Sequence, residues 1–382
     1  MSRAVVLVAG GGAVGLAFAA ASRDPCVVLE RENGRPANDP KETDLRVYAL
    51  SAGTQAFLAR LGAWQRLPAD RIAPVASMAV FGDDGGQLHF PSRRGEPVAW
   101  IVEGNRIARA VEEAAIARGV DLRHHASVAS LSASAEGVAC ELADGSAVEA
   151  ALLVGADGPG SGVRGLLGLA SEAKSYGQRA VVAHFSCERP HGGVARQWFR
   201  RGGVLAWLPL PGNRMSIVWS APEPLANELL ALEPAALAAR VREAGESALG
   251  DLRCEAGPTG FPLRLVRVPR IAVPGAVLLG DAAHGVHPLA GQGLNLGFQD
   301  AQSLASALAA RSALERPGDL AVLRRHERAR RGDVDAMQFM TDELNGLFAS
   351  GGPLLRRLRN SGLSLLDGLP PLRNALAARA MR

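Results

Sequence analysis

AVVLVAGGGAVGLAFAAASRDPCVVLE, residues 4–30, decides how the chain begins to fold. Residues 4–9 are an unbroken apolar run, as expected of a parallel strand covered on both faces. Residues 14–22 predict a helix and residues 26–30 a second strand, which together make one βαβ unit. At the join, Gly10-Gly11-Gly12-Ala13-Val14-Gly15 satisfies G-x-G-x-x-G. Gly10 allows the tight turn, Gly12 lets a pyrophosphate approach the backbone, and Gly15 permits close packing of helix on strand. The helix N-terminus adds free N–H groups and a partial positive charge. Glu30 closes the second strand, where a carboxylate can accept hydrogen bonds from both ribose hydroxyls. This order predicts dinucleotide binding without separating FAD from NAD.

Outward from that unit, composition sets the limits. The chain has 382 residues, enough for two domains, with 48% hydrophobic and 21% charged residues, as in a globular enzyme. A net charge of +4 makes no general case for nucleic-acid binding. Arg3 and the apolar run to Ala21 superficially resemble a signal peptide, but the glycines at 10, 11, 12 and 15 fit a phosphate-binding turn better. No transmembrane helix is expected. Cys26, Cys140, Cys187 and Cys254 fit no metal or CxxC spacing and predict free thiols in a reducing, cytoplasmic compartment.

The fold class this predicts is α/β: a Rossmann-like dinucleotide-binding domain with a β-sheet substrate lobe and a helical C-terminal region. Residues 45–62 read as a helical stretch with Gly62 as its C-cap, and 106–118 as a helix ending at Gly119. Short strands are expected from Val75 to Val102, and a meander over 120–154 with an Asp144-Gly145 turn. The cofactor domain is drawn from residues 1–72, 97–175 and 268–322. The substrate lobe takes 73–96 and 176–267, with a helical insert at 223–249, and 323–382 form the helical C-terminal region.

Two later motifs also stand at strand ends. Gly155-Ala156-Asp157-Gly158 leads into Ser161, Val163 and Arg164. Gly280-Asp281-Ala282-Ala283-His284 is followed by His287-Pro288-Leu289-Ala290-Gly291-Gln292-Gly293-Leu294-Asn295. An Asp at a strand's carboxyl end can accept from a sugar hydroxyl, and the glycines leave backbone N–H groups open to a ligand.

The combination GxGxxG, GADGxxSxVR and GDAAHxxxPxxGQGxN resembles the class A flavoprotein monooxygenases. HPLAGQGLNLG, with Asp44-Leu45-Arg46 and Ala49-Leu50-Ser51, resembles their ubiquinone-biosynthesis hydroxylase branch. The likeness continues through Tyr176-Gly177-Gln178, Ala206–Leu210 and Trp219-Ser220 into the tail. It implies FAD as cofactor and NAD(P)H as reductant. Gly10, Gly12 and Gly15 would hold the pyrophosphate, Glu30 the adenosine ribose and Asp281 the ribityl chain. Arg46 would lie along the cofactor, Gly291 to Asn295 would pass beside the isoalloxazine, and Asp157 would serve both FAD and NAD(P)H. Ala13, Val14, Arg31, Gly280, Pro288, Gln292, Gly293 and Leu294 complete the expected cofactor contacts. One position departs from the pattern: where the family has Asn after Val102-Glu103, Gly104 precedes Asn105. Either Asn105 or a water takes that place.

The implied reaction is hydroxylation of a phenolic ring on a prenylated quinone precursor by NAD(P)H and O2, through a flavin C4a-hydroperoxide. The protein then has mainly to position the ring and exclude water, so no catalytic side chain is singled out. The alternatives are an isoprenoid epoxidase or reductase, and a catalytically silent FAD-binding assembly subunit. His284 and His287 lack a third ligand nearby, so no metal is expected. Trp198, Phe199, Trp207 and Trp219 are sheet core by default, with a substrate-facing wall as the alternative. The Arg324–Arg331 run reads first as a solvated helix face. Residues 324–382 carry eleven arginines and six acids, with leucines at 354, 355, 358, 363, 365, 366 and 369. That pattern suits peripheral attachment to the inner face of an anionic membrane, packing on the cofactor domain, a homo-oligomer interface, or a place in a quinone-biosynthesis complex.

Overall fold

The computed structural model describes residues 4–33, 43–92, 95–200, 203–285 and 293–349. Ala4–Ala9 pairs in parallel with Cys26–Leu29 on one side and Ala147–Gly155 on the other. Ala147–Gly155 pairs onward in parallel with Ala276–Leu278. Opposite one another across these strands stand Leu29, Ala9, Gly155 and Leu278. Register alone therefore brings Glu30, the glycine turn, the GADG motif and the GDAAH motif to one carboxyl edge, where open α/β sheets bind ligands. The strands Asp121–Arg123 and Ala272–Val273 and the meander Val128–Ser134 and Gly137–Leu142 complete this sheet.

Helices cover one face of the sheet. Leu16, Phe18, Ile107, Val111, Phe298, Ala301 and Leu304 are buried together with Val6, Val8, Leu152 and Val154. A second eight-stranded sheet runs from Gln87–Pro91 at one edge to His284–Gly285 at the other, with Glu172–Cys187 and Leu252–Arg267 as its longest strands. Its two faces follow strand alternation. Phe185, Trp198, Trp207, Ile217 and Trp219 face the helices Glu223–Ala231 and Pro234–Ala244. Ala195, Leu208 and Leu210 lie on the other face, against Val47, Val75 and Ile101 of a three-stranded sheet. The tryptophans are thus core on the helix side, and Phe199 packs with Val80, Leu88 and Val204. The helical insert is two helices, because Pro234 starts the second where its missing N–H costs nothing.

The expectation of one helical stretch over 45–62 is corrected. Val47–Leu50 is a strand, paired antiparallel with Ala99–Glu103, and only Ala52–Leu61 is helical. Ser51 accepts from the Thr54 N–H as its N-cap, and Gly62 ends it at φ 79°. The helix Gly104–Ala117 begins two residues earlier than expected. A long helix, Leu320–Ala349, closes the described chain; the tail leucines lie outside the described residues.

Candidate cofactor cleft

The three glycines of the first turn do different work. Gly10 has φ 110°, and a Cβ there would stand 2.3 Å from the Ala156 carbonyl oxygen. A Cβ on Gly15 would lie 2.2 Å from the Gly10 carbonyl oxygen. Both are required by the protein's own packing. Gly12 is not: its backbone is extended, and a Cβ there would meet nothing within 4 Å. It caps the helix Ala13–Ala21 with no side-chain hydrogen bond, leaving the first-turn N–H groups without a side-chain cap. An anion at that point fits both features.

Glu30 stands across the turn. The Gly11 N–H donates to its Oε2 (2.9 Å) and the Glu32 N–H to its Oε1 (2.9 Å), which fixes the carboxylate with lone pairs remaining. Gly11, Glu30, Glu32, Asn33, Leu122 and His124 enclose a cavity of about 80 Å³ beside it. Arg31 is exposed.

Asp157 organises its own turn. It accepts from Ser161 Oγ (2.5 Å) and from the Val163 N–H (3.0 Å), and Ser161 Oγ accepts from the Arg164 N–H. The Arg164 guanidinium then donates to the carbonyl oxygens of Pro159 and Ala282, both at 2.9 Å. The GADG and GDAAH motifs are thereby one connected unit.

Gly280 has φ 57° and lies over Val14, whose methyls also stand where a Cβ of Gly297 would be, 2.6 Å away. Asp281 is solvent-accessible yet surrounded by protein, as on the floor of a cleft. That enclosure pushes its carboxyl above the ordinary value, His284 opposing and Asp300 reinforcing the effect. His284 is buried with Nε2 2.6 Å from Asp300 Oδ2. Burial disfavours its charge, but the carboxylate outweighs burial and raises its pKa. Burial likewise works against ionised Asp300, yet His284 and Arg330 hold its carboxyl well below the carboxylate range. His284 is therefore one half of a buried ion pair, and among the described residues no cluster has the make-up of a metal site.

Asn295 serves the backbone. Its Nδ2 donates to Ala49 O (2.8 Å) and its Oδ1 accepts from the Ser51 N–H (3.0 Å), tying the first turn of Gly293–Ala309 to the Val47–Leu50 strand. Leu294 is half-buried against the helical core. Pro288, Gly291 and Gln292, with His287, lie outside the described residues. Arg46 is exposed, its N–H donating to Asp44 Oδ1 (2.9 Å).

Tyr48 escaped the reading of the sequence. Its ring leaves no room at residue 104, where a Cβ would stand 2.9 Å from Tyr48 Cε2 and 3.1 Å from Asp44 Oδ2. Burial raises its phenol pKa, and Arg46, Asp281 and Asp44 are its charged company. The departure at Gly104 thus has a steric cause. Asn105 N–H donates to Asp44 Oδ2 (2.9 Å). Arg106 is buried on Glu103, with Nε 2.7 Å from Oε2, and Arg71 holds the same carboxylate. Within this cluster only Glu103 and Arg106 are an i,i+3 pair; no spacing rule announces the others, because Asp44, Tyr48 and Arg71 reach them through the pairing of distant strands.

The open space over Gly12, the fixed Glu30 carboxylate and the recessed Asp281 fall along one edge and fit an extended dinucleotide. The FAD binding domain family matches residues 3–336. The ubiquinone hydroxylase UbiL of Rhodospirillum rubrum is 34% identical over 98% of this chain and 89% of its own. The 3-demethoxyubiquinol 3-hydroxylase of Escherichia coli is 32% identical over 94% and 93%. Among solved structures, p-nitrophenol 4-monooxygenase PnpA of Pseudomonas putida superposes with a TM-score of 0.78 at 19% identity, over 99% of this chain and 98% of its own. PqsL of Pseudomonas aeruginosa, in complex with 2-aminobenzoylacetate, gives 0.77 at 22%, over 95% and 99%; both share the fold. Sequence likeness over nearly the full length, on a fold whose strand ends build a dinucleotide cleft, means that the chain belongs to the FAD binding domain family and is an FAD-dependent monooxygenase homologous to the ubiquinone-biosynthesis hydroxylases.

Proposed function

We propose that the chain hydroxylates the phenolic ring of a prenylated quinone precursor, using NAD(P)H and O2. One observation carries this: two full-length relatives are named as a ubiquinone hydroxylase and a 3-demethoxyubiquinol 3-hydroxylase. The second sheet supports it. On the face turned away from the tryptophans, Ala206, Leu208 and Val218 are half-exposed although they lie on interior strands. A row of small apolar side chains there suits a planar ring with an apolar tail.

In this reading residues 1–72, 97–175 and 268–322 hold the cofactor, while 73–96 and 176–267 supply the substrate wall. Gly10, Gly12 and Gly15 receive the pyrophosphate at the helix N-terminus, Glu30 accepts from the ribose and Asp281 from the ribityl chain. Asp157 and Arg164 keep the two later motifs in register, and Arg46 and Tyr48 flank the cleft. Bound FAD supplies the oxygen-activating chemistry, and the protein orients the ring and keeps water out. The experiment is substrate-stimulated NAD(P)H oxidation by the purified protein, with product gaining the mass of one oxygen. Stimulated oxidation without that gain overturns hydroxylation, and no stimulation by any prenylated phenol overturns the substrate class. A deletion strain's lipid extract then names the missing hydroxyl through the precursor that accumulates.

A membrane-surface location belongs to the same proposal, since a prenylated phenol partitions into lipid. No helix among the described residues is long and apolar enough to cross a membrane. Within the Arg324–Arg331 run, Arg325 pairs with Glu315, Arg330 with Asp300 and Arg331 with Asp335. Attachment therefore rests on Arg324, Arg328 and the arginines beyond residue 349, which lie outside the described residues.

A further inference from the structure

The short segment Gly280–Gly285, which carries Asp281, pairs through His284–Gly285 with Val266–Arg267 and is held by side chains at four further points. The Gly280 N–H donates to Asp300 Oδ2 (3.1 Å), and His284 Nε2 lies 2.6 Å from the same oxygen. Arg164 holds Ala282 O, and Gln338 Nε2 donates to Gly285 O (3.1 Å) and Val266 O (2.9 Å). Asp300 is fixed in turn from the C-terminal helix. Arg330 Nε donates to its Oδ1 (2.7 Å), while Nη1 and Nη2 reach Asp333 Oδ2 and Gln299 Oε1, each at 2.9 Å. Asp300, Arg330 and His284 are 2%, 6% and 5% exposed.

A buried carboxylate between two cations is a poor way to gain stability, because desolvation offsets most of the attraction and apolar packing would do as well. What it provides is direction: three hydrogen bonds on two oxygens leave the group one orientation. We propose that Asp300 and Arg330 are positioning residues for the cofactor. They set the direction of the Asp281 carboxylate by fixing the turn on which it stands, and so couple the helix Leu320–Ala349 to the flavin end of the cleft. The inference rests on the reading of Asp281 as the ribityl contact. The adenosine end, at Gly12 and Glu30, receives none of these contacts.

That asymmetry supplies the test. The full-length chain, stripped of flavin, is titrated with FAD and separately with ADP, which carries only the adenosine half. Asp300→Asn, and the paired neutral change Asp300→Asn with Arg330→Gln, are compared with Asp281→Ala. All three should weaken FAD by about tenfold or more, the scale of losing a charge-assisted hydrogen bond, and leave ADP within about twofold. The paired variant removes the Arg330 charge together with that of Asp300, and His284 can shed its proton, so a fold lost in the single variant does not close the question. Parallel loss of FAD and ADP in both Asp300 variants makes the network merely structural and overturns the inference. Unchanged FAD affinity in them, with Asp281→Ala weakened, also overturns it. If Asp281→Ala binds FAD normally, the ribityl reading itself fails and the inference falls with it.

Discussion

A Cβ on Gly15 would stand 2.2 Å from the carbonyl oxygen of Gly10, so the first helix presses on the first turn with no room for a methyl group. Three residues earlier, at Gly12, the same atom would touch nothing. The two glycines should therefore fail in different ways. Gly15→Ala should destabilise the protein by about 1–3 kcal/mol or more through overpacking. Gly12→Val should fold and unfold like wild type yet emerge colourless, because the branched side chain occupies the phosphate space. Thermal unfolding and visible flavin absorbance, measured together, check both. A yellow Gly12→Val protein would remove the pyrophosphate from this turn.

Asp281 should trade stability against cofactor. Its carboxyl is raised in the folded chain, so the ionised form burdens the fold at pH values above the unfolded pKa. Asp281→Ala should leave the apoprotein at least as stable as wild type while weakening FAD by about ten- to a hundred-fold. The apoprotein melting temperature and a FAD titration give the two halves. A large drop in apoprotein stability would contradict the burden.

Tyr48 and residue 104 should behave as a pair. Gly104→Ala places a methyl within 2.9 Å of the Tyr48 ring and should cost about 1–3 kcal/mol. Tyr48→Ala should absorb most of that penalty, giving a coupling of roughly 0.5–3 kcal/mol in a double-mutant cycle. Additive effects would mean that the ring is not the obstacle.

Acid should act through His326 and Asp300. Burial pushes His326 down to about 4, against an unfolded value near 6.5, so the unfolded chain binds the extra proton between those pH values. Stability should fall as pH drops from about 6.5 to about 4. Asp300, depressed in the folded chain, adds stability above its unfolded pKa that is lost on further acidification. His284 is raised, and its contribution is lost as pH rises through its folded pKa. His326→Gln should flatten the acid limb between pH 6.5 and 4, as read from melting temperature against pH. An unchanged limb would assign it to other groups.

Flotation with anionic vesicles tests the membrane proposal. Each basic residue near such a surface contributes about 1 kcal/mol before screening, so binding should drop in high salt and on truncation before Gly352. Folded protein that ignores the vesicles at low salt would leave the tail a structural role.

The local sequence was enough wherever the physics is local. A buried strand, a glycine turn and a helix lie within thirty residues, and Gly62 at φ 79° ends its helix for reasons contained in one turn. The motifs at Glu30, Gly155 and Gly280 were legible too, since each follows a short apolar run. Their convergence was not, because it comes from the register of parallel strands far apart in the chain, such as Ala9 beside Gly155 and Gly155 beside Leu278. Val47–Leu50 reads as part of the helical stretch that follows it, whereas in the fold it is a strand paired with Ala99–Glu103. Alternation divided the second sheet into two faces, but only packing against the helices decided which face took Trp198, Trp207 and Trp219. Arg330 belongs to a run that reads in sequence as a solvated helix face, and Asp300 stands 30 residues before it. Tertiary contact buries them and makes them partners, since charge is solvated by default and becomes structural only where a second charge meets it away from water.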